Sequence, residues 1–177
     1  MTARAITILL LLLTSMISSA QRYDWRSRID RLIERADSLA LKHQRTFWLT
    51  KYIGTDRTYK ETWYYTIRDN KVIEFEIRYN VDSVEHSETY YLDNGSPICM
   101  ERYETVYFGF HEDEIKRGEV LFLDNETIRQ YVSIGKQDRN HNRFGQSFDS
   151  MKRFSDRYTE LKKNIIATGQ KAIERSP

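Results

Sequence analysis

The 177-residue sequence holds one cysteine, two prolines and seven glycines. A lone cysteine cannot form an intrachain disulfide, so packing alone must hold a domain whose exported counterparts are often stapled by paired bridges. Few prolines and glycines argue against long linkers and low-complexity tails. Charge of one sign is lacking too. The 28 Lys and Arg residues nearly balance 26 Asp and Glu, both signs are interspersed, and no basic face concentrates as nucleic acid would require. No Gly-x-Ser-x-Gly elbow, phosphate loop, dinucleotide fingerprint, paired-cysteine motif or His-Glu-x-x-His occurs. The expectation is therefore no cofactor and no metal, and no support for a Ser or Cys nucleophile. Beyond residue 20 no apolar run approaches the ~20 residues of a membrane-spanning helix, so no transmembrane segment is expected in the mature chain.

What is present begins with a leader. Arg4 supplies a positive charge, Ala5 to Leu13 form an apolar run, and Ser18-Ser19-Ala20 offers small residues. This is the tripartite pattern of a secretory signal peptide, with cleavage expected between Ala20 and Gln21. Residues 1–20 are read as signal and 21–177 as one exported domain, periplasmic or extracellular.

From Trp25 to about His43, Trp25, Ile29, Leu32, Ile33, Ala36, Leu39 and Ala40 recur at helical spacing, with Asp24 in the N-cap position. The period then changes to two. Thr46–Ile53, Tyr59–Arg68, Lys71–Asn80, Val84–Leu92, Ile98–Phe108, Glu119–Leu123 and Thr127–Ile134 read as strands rich in aromatic and β-branched residues. In the third, Ile73, Phe75, Ile77 and Tyr79 alternate with Glu74, Glu76 and Arg78, which predicts one buried and one wet face. Asp69-Asn70, Asp93-Asn94-Gly95 and Asp124-Asn125 punctuate the strands as hairpin turns, since Asn and Asp tolerate positive φ. Gln137–Gly145 reads as a loop. From about Phe148 to Glu174, Met151, Phe154, Tyr158, Leu161 and Ile165 form a heptad-like seam suited to packing across a sheet. The fold class is α+β: a curved antiparallel meander of about seven strands with an N-terminal and a C-terminal helix, cystatin-like or lipocalin-like in architecture.

Few residues suggest chemistry. His86 and Glu88 share one face of a strand as an acid–base pair would, although a polar pair on a wet face reads the same way. His111-Glu112-Asp113-Glu114 is the densest cluster of potential ligands, but it lacks the spacing of a Ca²⁺ loop and reads as a solvated hairpin. Aromatics are abundant, with 3 Trp, 12 Tyr and 8 Phe. Trp63, Tyr65, Tyr91, Tyr103 and Tyr107 lie on strands and are the candidate ligand-binding residues, on a sheet face or in a cavity.

The unit Tyr90-Tyr91-Leu92-Asp93-Asn94-Gly95, running into Pro97-Ile98, resembles the hairpins of small exported proteins common in the Bacteroidetes. The resemblance spans residues 60–134 and implies a cell-envelope setting without implying an activity. Asp37-Ser38-Leu39, Asp82-Ser83-Val84 and Asp149-Ser150-Met151 likewise resemble the O-glycosylation signal of that group. The functional expectation is an exported binding module whose partner is an apolar small molecule, a glycan or another envelope protein. A periplasmic hydrolase using His86, Glu88 or His111, and a structural envelope component, are the alternatives.

Overall fold

A computed structural model describes residues 24–107, 113–135 and 143–167. Helix α1 spans Trp25–His43, and the Asp24 side chain caps it by accepting from the Ser27 amide at 3.2 Å. Seven strands follow: β1 Arg45–Ile53, β2 Arg57–Arg68, β3 Lys71–Val81, β4 Val84–Asp93, β5 Ser96–Val106, β6 Glu114–Asp124 and β7 Thr127–Gly135. Helix α2, Arg143–Ala167, closes the order. It starts inside the stretch expected to be a loop, and β6 begins at Glu114, five residues before the expected Glu119. Within these described residues no helix is long and apolar enough to cross a membrane.

Every strand pairs antiparallel with its sequence neighbour, in the order β1-β2-β3-β4-β5-β6-β7, and β1 and β7 remain edges. The curved sheet is thus α+β as expected but open, without the closure of a lipocalin-like barrel. The tight turns hold positive φ at Asp69 and Asn70, at Asn94 and Gly95, and at Asn125 and Glu126, as type I′ hairpins require.

The helices lie on opposite faces. Strand alternation sends Tyr90 toward α2 and its neighbour Tyr91 toward α1. Under α2, Phe47, Trp63, Tyr65, Phe75, Ile77, Tyr90, Met100 and Leu121 pack with Phe154 and Leu161. Phe47 stacks on Trp63 at 5.6 Å, and Phe75 stacks on Tyr90 at 4.6 Å and on Tyr158 at 6.0 Å. The expected seam of α2 makes these contacts across the sheet. Under α1, Ile29 and Ala36 meet Tyr91, Ile98, Cys99 and Phe122. Cys99 is fully buried there, and burial first, then the nearby Glu101 charge, raises its thiol pKa.

Two expectations about wet faces are corrected. A bulge between Thr66 and Ile67 pairs Thr66 with Glu74 but Ile67 with Val72, so Ile73 moves to the α1 face and joins its core. Glu74, facing opposite to Phe75 and beside Tyr91 on the face that α1 covers, is buried rather than wet. Glu88, expected on a solvated face, lies fully buried under α2.

Candidate functional site

Two charged constellations and one open surface result from this geometry. The first lies beneath α2. Alternation on β2 that turns Trp63 and Tyr65 inward also turns Glu61 inward, and β4 does the same for Glu88 beside Tyr90. Both carboxylates are fully buried. Arg157, one position before Tyr158 of the seam, reaches between them. Its Nη1 donates to Glu61 Oε1 at 3.0 Å and its Nη2 to Glu88 Oε1 at 3.1 Å. Trp63 Nε1 donates to Glu61 Oε2 at 3.1 Å, while Tyr90 and Tyr79 hydroxyls donate to Glu88 at 2.7 and 3.2 Å. Arg153 adds charge 3.6 Å from Glu88. Burial opposes ionisation of Glu88, but Arg157, the Tyr90 hydroxyl and Arg153 together outweigh it and hold the carboxyl below its ordinary range. The oxygens of Glu88 are saturated by donors, so the arrangement fixes α2 to the sheet and leaves little for proton transfer.

His86 stacks on Tyr79 at 4.9 Å and lines a cleft with Glu88, Arg102, Tyr103, Arg117 and Glu119. The cleft encloses about 10 Å³, roughly the room of one water molecule. Arg117 donates to Glu119 at 2.6 Å, and against burial this pairing, with the Arg102 charge and the Tyr131 hydroxyl, lowers the Glu119 pKa. His111 lies outside the described residues, as do Ala20 and Gln21 of the cleavage site. Among the described residues no group of three His, Cys, Asp or Glu side chains could hold a metal ion.

The second constellation lies where α1 crosses the sheet. Tyr91 donates its hydroxyl to Asp37 Oδ1 of α1 at 3.0 Å. Glu74, next to Tyr91 in the sheet, is only 6% exposed, and its Oε2 has no hydrogen-bond partner. Burial first, then the charges of Asp37 and Glu76, push its pKa up to about 7. Glu101 is raised by burial and by Asp37.

The open surface is the rest of the α1 face. One cross-strand row runs Trp48, Thr62, Arg78, Ser87, Tyr103, Gly118 and Ile134. Trp48 is 66% exposed, Ile134 51% and Tyr107, just past β5, 52%. Lys60 Nζ sits 4.8 Å from the Trp48 ring centre, and the Arg78 guanidinium 5.7 Å from that of Tyr64. Gly118 leaves room for Tyr103: a Cβ there would meet the ring at 2.9 Å.

The five aromatic candidates do not converge. Trp63 and Tyr65 are completely buried under α2, and Tyr91 is buried under α1. Tyr103 sits on the open surface, with Tyr107 exposed just beyond the strand. Sequence reasoning passed over Trp48, Arg157 and Glu61. The signal for Glu61 was its inward register with Trp63, which places a carboxylate in the core and demands a cation. Comparison with protein-family models, curated proteins and solved structures gave no match for this chain.

Proposed function

We propose that the protein is an exported binding module that docks another envelope protein on the open part of its α1 face. The observation that carries this reading is the row from Trp48 to Ile134, exposed at Trp48, Arg78 and Ile134 and half-buried at Tyr103 between them, where aromatic, aliphatic and guanidinium groups share one strand surface. That mixture is the composition that marks protein interfaces. The leader read from residues 1–20 supports export.

Two features weigh against the other readings. The acid–base pair expected at His86 and Glu88 has its carboxylate committed to Arg157, Tyr79 and Tyr90. Among the described residues, two hollows of about 510 and 360 Å³ are open grooves with charged side chains in their walls, whereas an apolar ligand calls for an enclosed apolar chamber.

The test uses Trp48→Ala with Ile134→Ser, two exposed positions whose exchange leaves both cores intact. The mature protein is immobilised and offered separated envelope proteins and envelope glycans. The reading expects a saturable protein ligand whose retention the double variant loses. Equal retention by the variant overturns it, and retention of glycan alone replaces the protein partner with a sugar.

A further inference from the structure

The carboxylates at the border between α1 and the open surface have an arrangement that the opposite face does not share. Tyr64, Glu76, Thr89 and Glu101 are cross-strand neighbours in one row, and Thr66, Glu74, Tyr91 and Cys99 form the next row, toward α1. Asp37 reaches down from α1 to Tyr91. Four carboxylates therefore gather around Thr89 and Tyr91: buried Glu74 is the register partner of Tyr91, Glu76 and Glu101 flank Thr89 on either side, and exposed Asp37 meets the Tyr91 hydroxyl from α1.

Their donors are few. Arg78 binds Glu76 at 2.7 and 3.2 Å from the side of the open surface. Glu101 receives only the Tyr103 hydroxyl at 3.5 Å and the Cys99 thiol at 3.9 Å. Arg26 of α1 is engaged by Asp30 and Gln130 and lies over the Phe122 ring. Buried Glu74 Oε2 and Thr66 Oγ1, register partners on adjacent strands, accept or donate nothing. An unpartnered buried carboxylate oxygen is costly unless a donor reaches it. The raised pKa values of Glu74 and Glu101 point the same way.

The occupant that fits is an organic cation. The side chains do not gather as metal ligands must. A guanidinium or ammonium is larger, spreads its donors, and pairs with carboxylates beside aromatic rings. Arg78 already makes this pairing at the outer edge, against Glu76 and over Tyr64.

We infer that the notch formed by Asp37, Glu74, Glu76 and Glu101 receives one lysine or arginine side chain of the docked partner. The inference rests on the docking surface proposed above and names the partner chemistry at its α1 end. A proton competes for the same place, so the basic side chain binds more weakly once pH falls below the Glu74 midpoint.

The probes are acetyl-Gly-Arg-Gly-amide, its lysine counterpart and the isosteric citrulline peptide, titrated near pH 8 and near pH 6 by NMR. Both basic peptides should shift the amides of residues 74–76 and 99–101, and the citrulline peptide should not. Glu76→Gln with Glu101→Gln should weaken binding by about tenfold or more, and so should Asp37→Asn, an exposed change that spares the core. Binding should fall at pH 6. Trp48→Ala with Ile134→Ser should leave the short peptides unaffected, which separates failure of the notch from failure of the docking surface. Citrulline binding as tightly as arginine, or carboxylate variants binding like the wild type, would overturn the inference. Stoichiometric displacement by Ca²⁺ would overturn it too, by making the notch a metal site.

Discussion

Under α2, Glu61 and Glu88 are buried against guanidinium groups, whereas under α1, Glu74 is buried against other carboxylates. Both faces have removed acids from water, and desolvation favours the neutral acid in each case. What differs is the partner. Arg157 reaches Glu61 and Glu88 together, and its own charge is reinforced by them against the cost of burial. Asp37 and Glu76 add negative charge to the burial of Glu74. One helix is fastened by a completed ion network, and the other is seated over unbalanced charge. The lesson is that burial of an acid says little until its counter-charge is named.

The largest effect should come from breaking the α2 network. Arg157→Met leaves two fully buried carboxylates without their guanidinium, and removing one partner of a buried pair costs on the order of 3–5 kcal/mol. Chemical denaturation should register that loss. Adding Glu61→Gln and Glu88→Gln should recover much of it, because no charge is then stranded. A loss within about 1 kcal/mol for Arg157→Met would mean that the two faces differ less than their geometry indicates.

The next effect is in pH, and its sign differs between the faces. Glu74 titrates higher in the folded protein, at about 7 against an ordinary 4.5. Its stabilising contribution is full below about pH 4.5 and lost as pH rises through 7, an upper bound of about 3 kcal/mol. Glu88 titrates lower than its ordinary value in the folded protein. Its contribution is present above the ordinary carboxylate range and lost as pH falls through the depressed value. Amide exchange near pH 8 should therefore find α1 opening more readily than α2. Glu74→Gln should remove that alkaline weakness and leave the protein little changed near pH 5. Equal protection of both helices across the range would remove the basis of the comparison.

Much of this architecture was legible in the chain. The 3.6 period from Trp25 marked α1, the apolar seam from Met151 marked the body of α2, the period of two marked the seven strands, and the Asp-Asn pairs marked three of the turns between them. The first turn of α2 and the start of β6 were missed. The bulges were not legible, since an inserted residue leaves composition unchanged while it reverses the facing of the residues beyond it. That is why Ile73 appeared to share a face with Phe75 although they enter different cores. The ion network was half legible. Glu61 and Glu88 fall in inward register with Trp63 and Tyr90, but Arg157 lies beside the apolar seam and reads as surface until α2 is placed on the sheet. The open surface was hidden for another reason: strand alternation assigns Trp48 to a face, and only the path of α1 decides whether that face is covered.

A change in the turn after β4 should be smaller and should not discriminate between the faces. Gly95 sits at φ 87°, and a Cβ there would meet nothing closer than Tyr158 Oη at 3.8 Å. Gly95→Val therefore acts through backbone strain alone, at about 1–3 kcal/mol. Exchange should rise equally in α1 and α2, because the β4–β5 hairpin supports both cores. A selective loss in one helix would show that the faces unfold as separate units.

The smallest effect runs the other way. The β6–β7 turn holds Glu126 at φ 60°, where the corresponding turn after β4 has Gly95. A glutamate in the left-handed region bears steric strain that glycine avoids. Its carboxylate contributes one long contact, 3.4 Å from the Ser96 hydroxyl on the surface, a small loss on exchange. Glycine also gives the unfolded chain more freedom, which offsets part of the relief. Glu126→Gly should consequently stabilise the protein by only about 0.5–1 kcal/mol. The gain should appear as a modest rise in Tm and equal slowing of exchange in both helices. Destabilisation would mean that the Glu126 side chain holds the hairpin ends near α1 more firmly than its single contact implies, and the α1 face would then owe part of its seating to the turns.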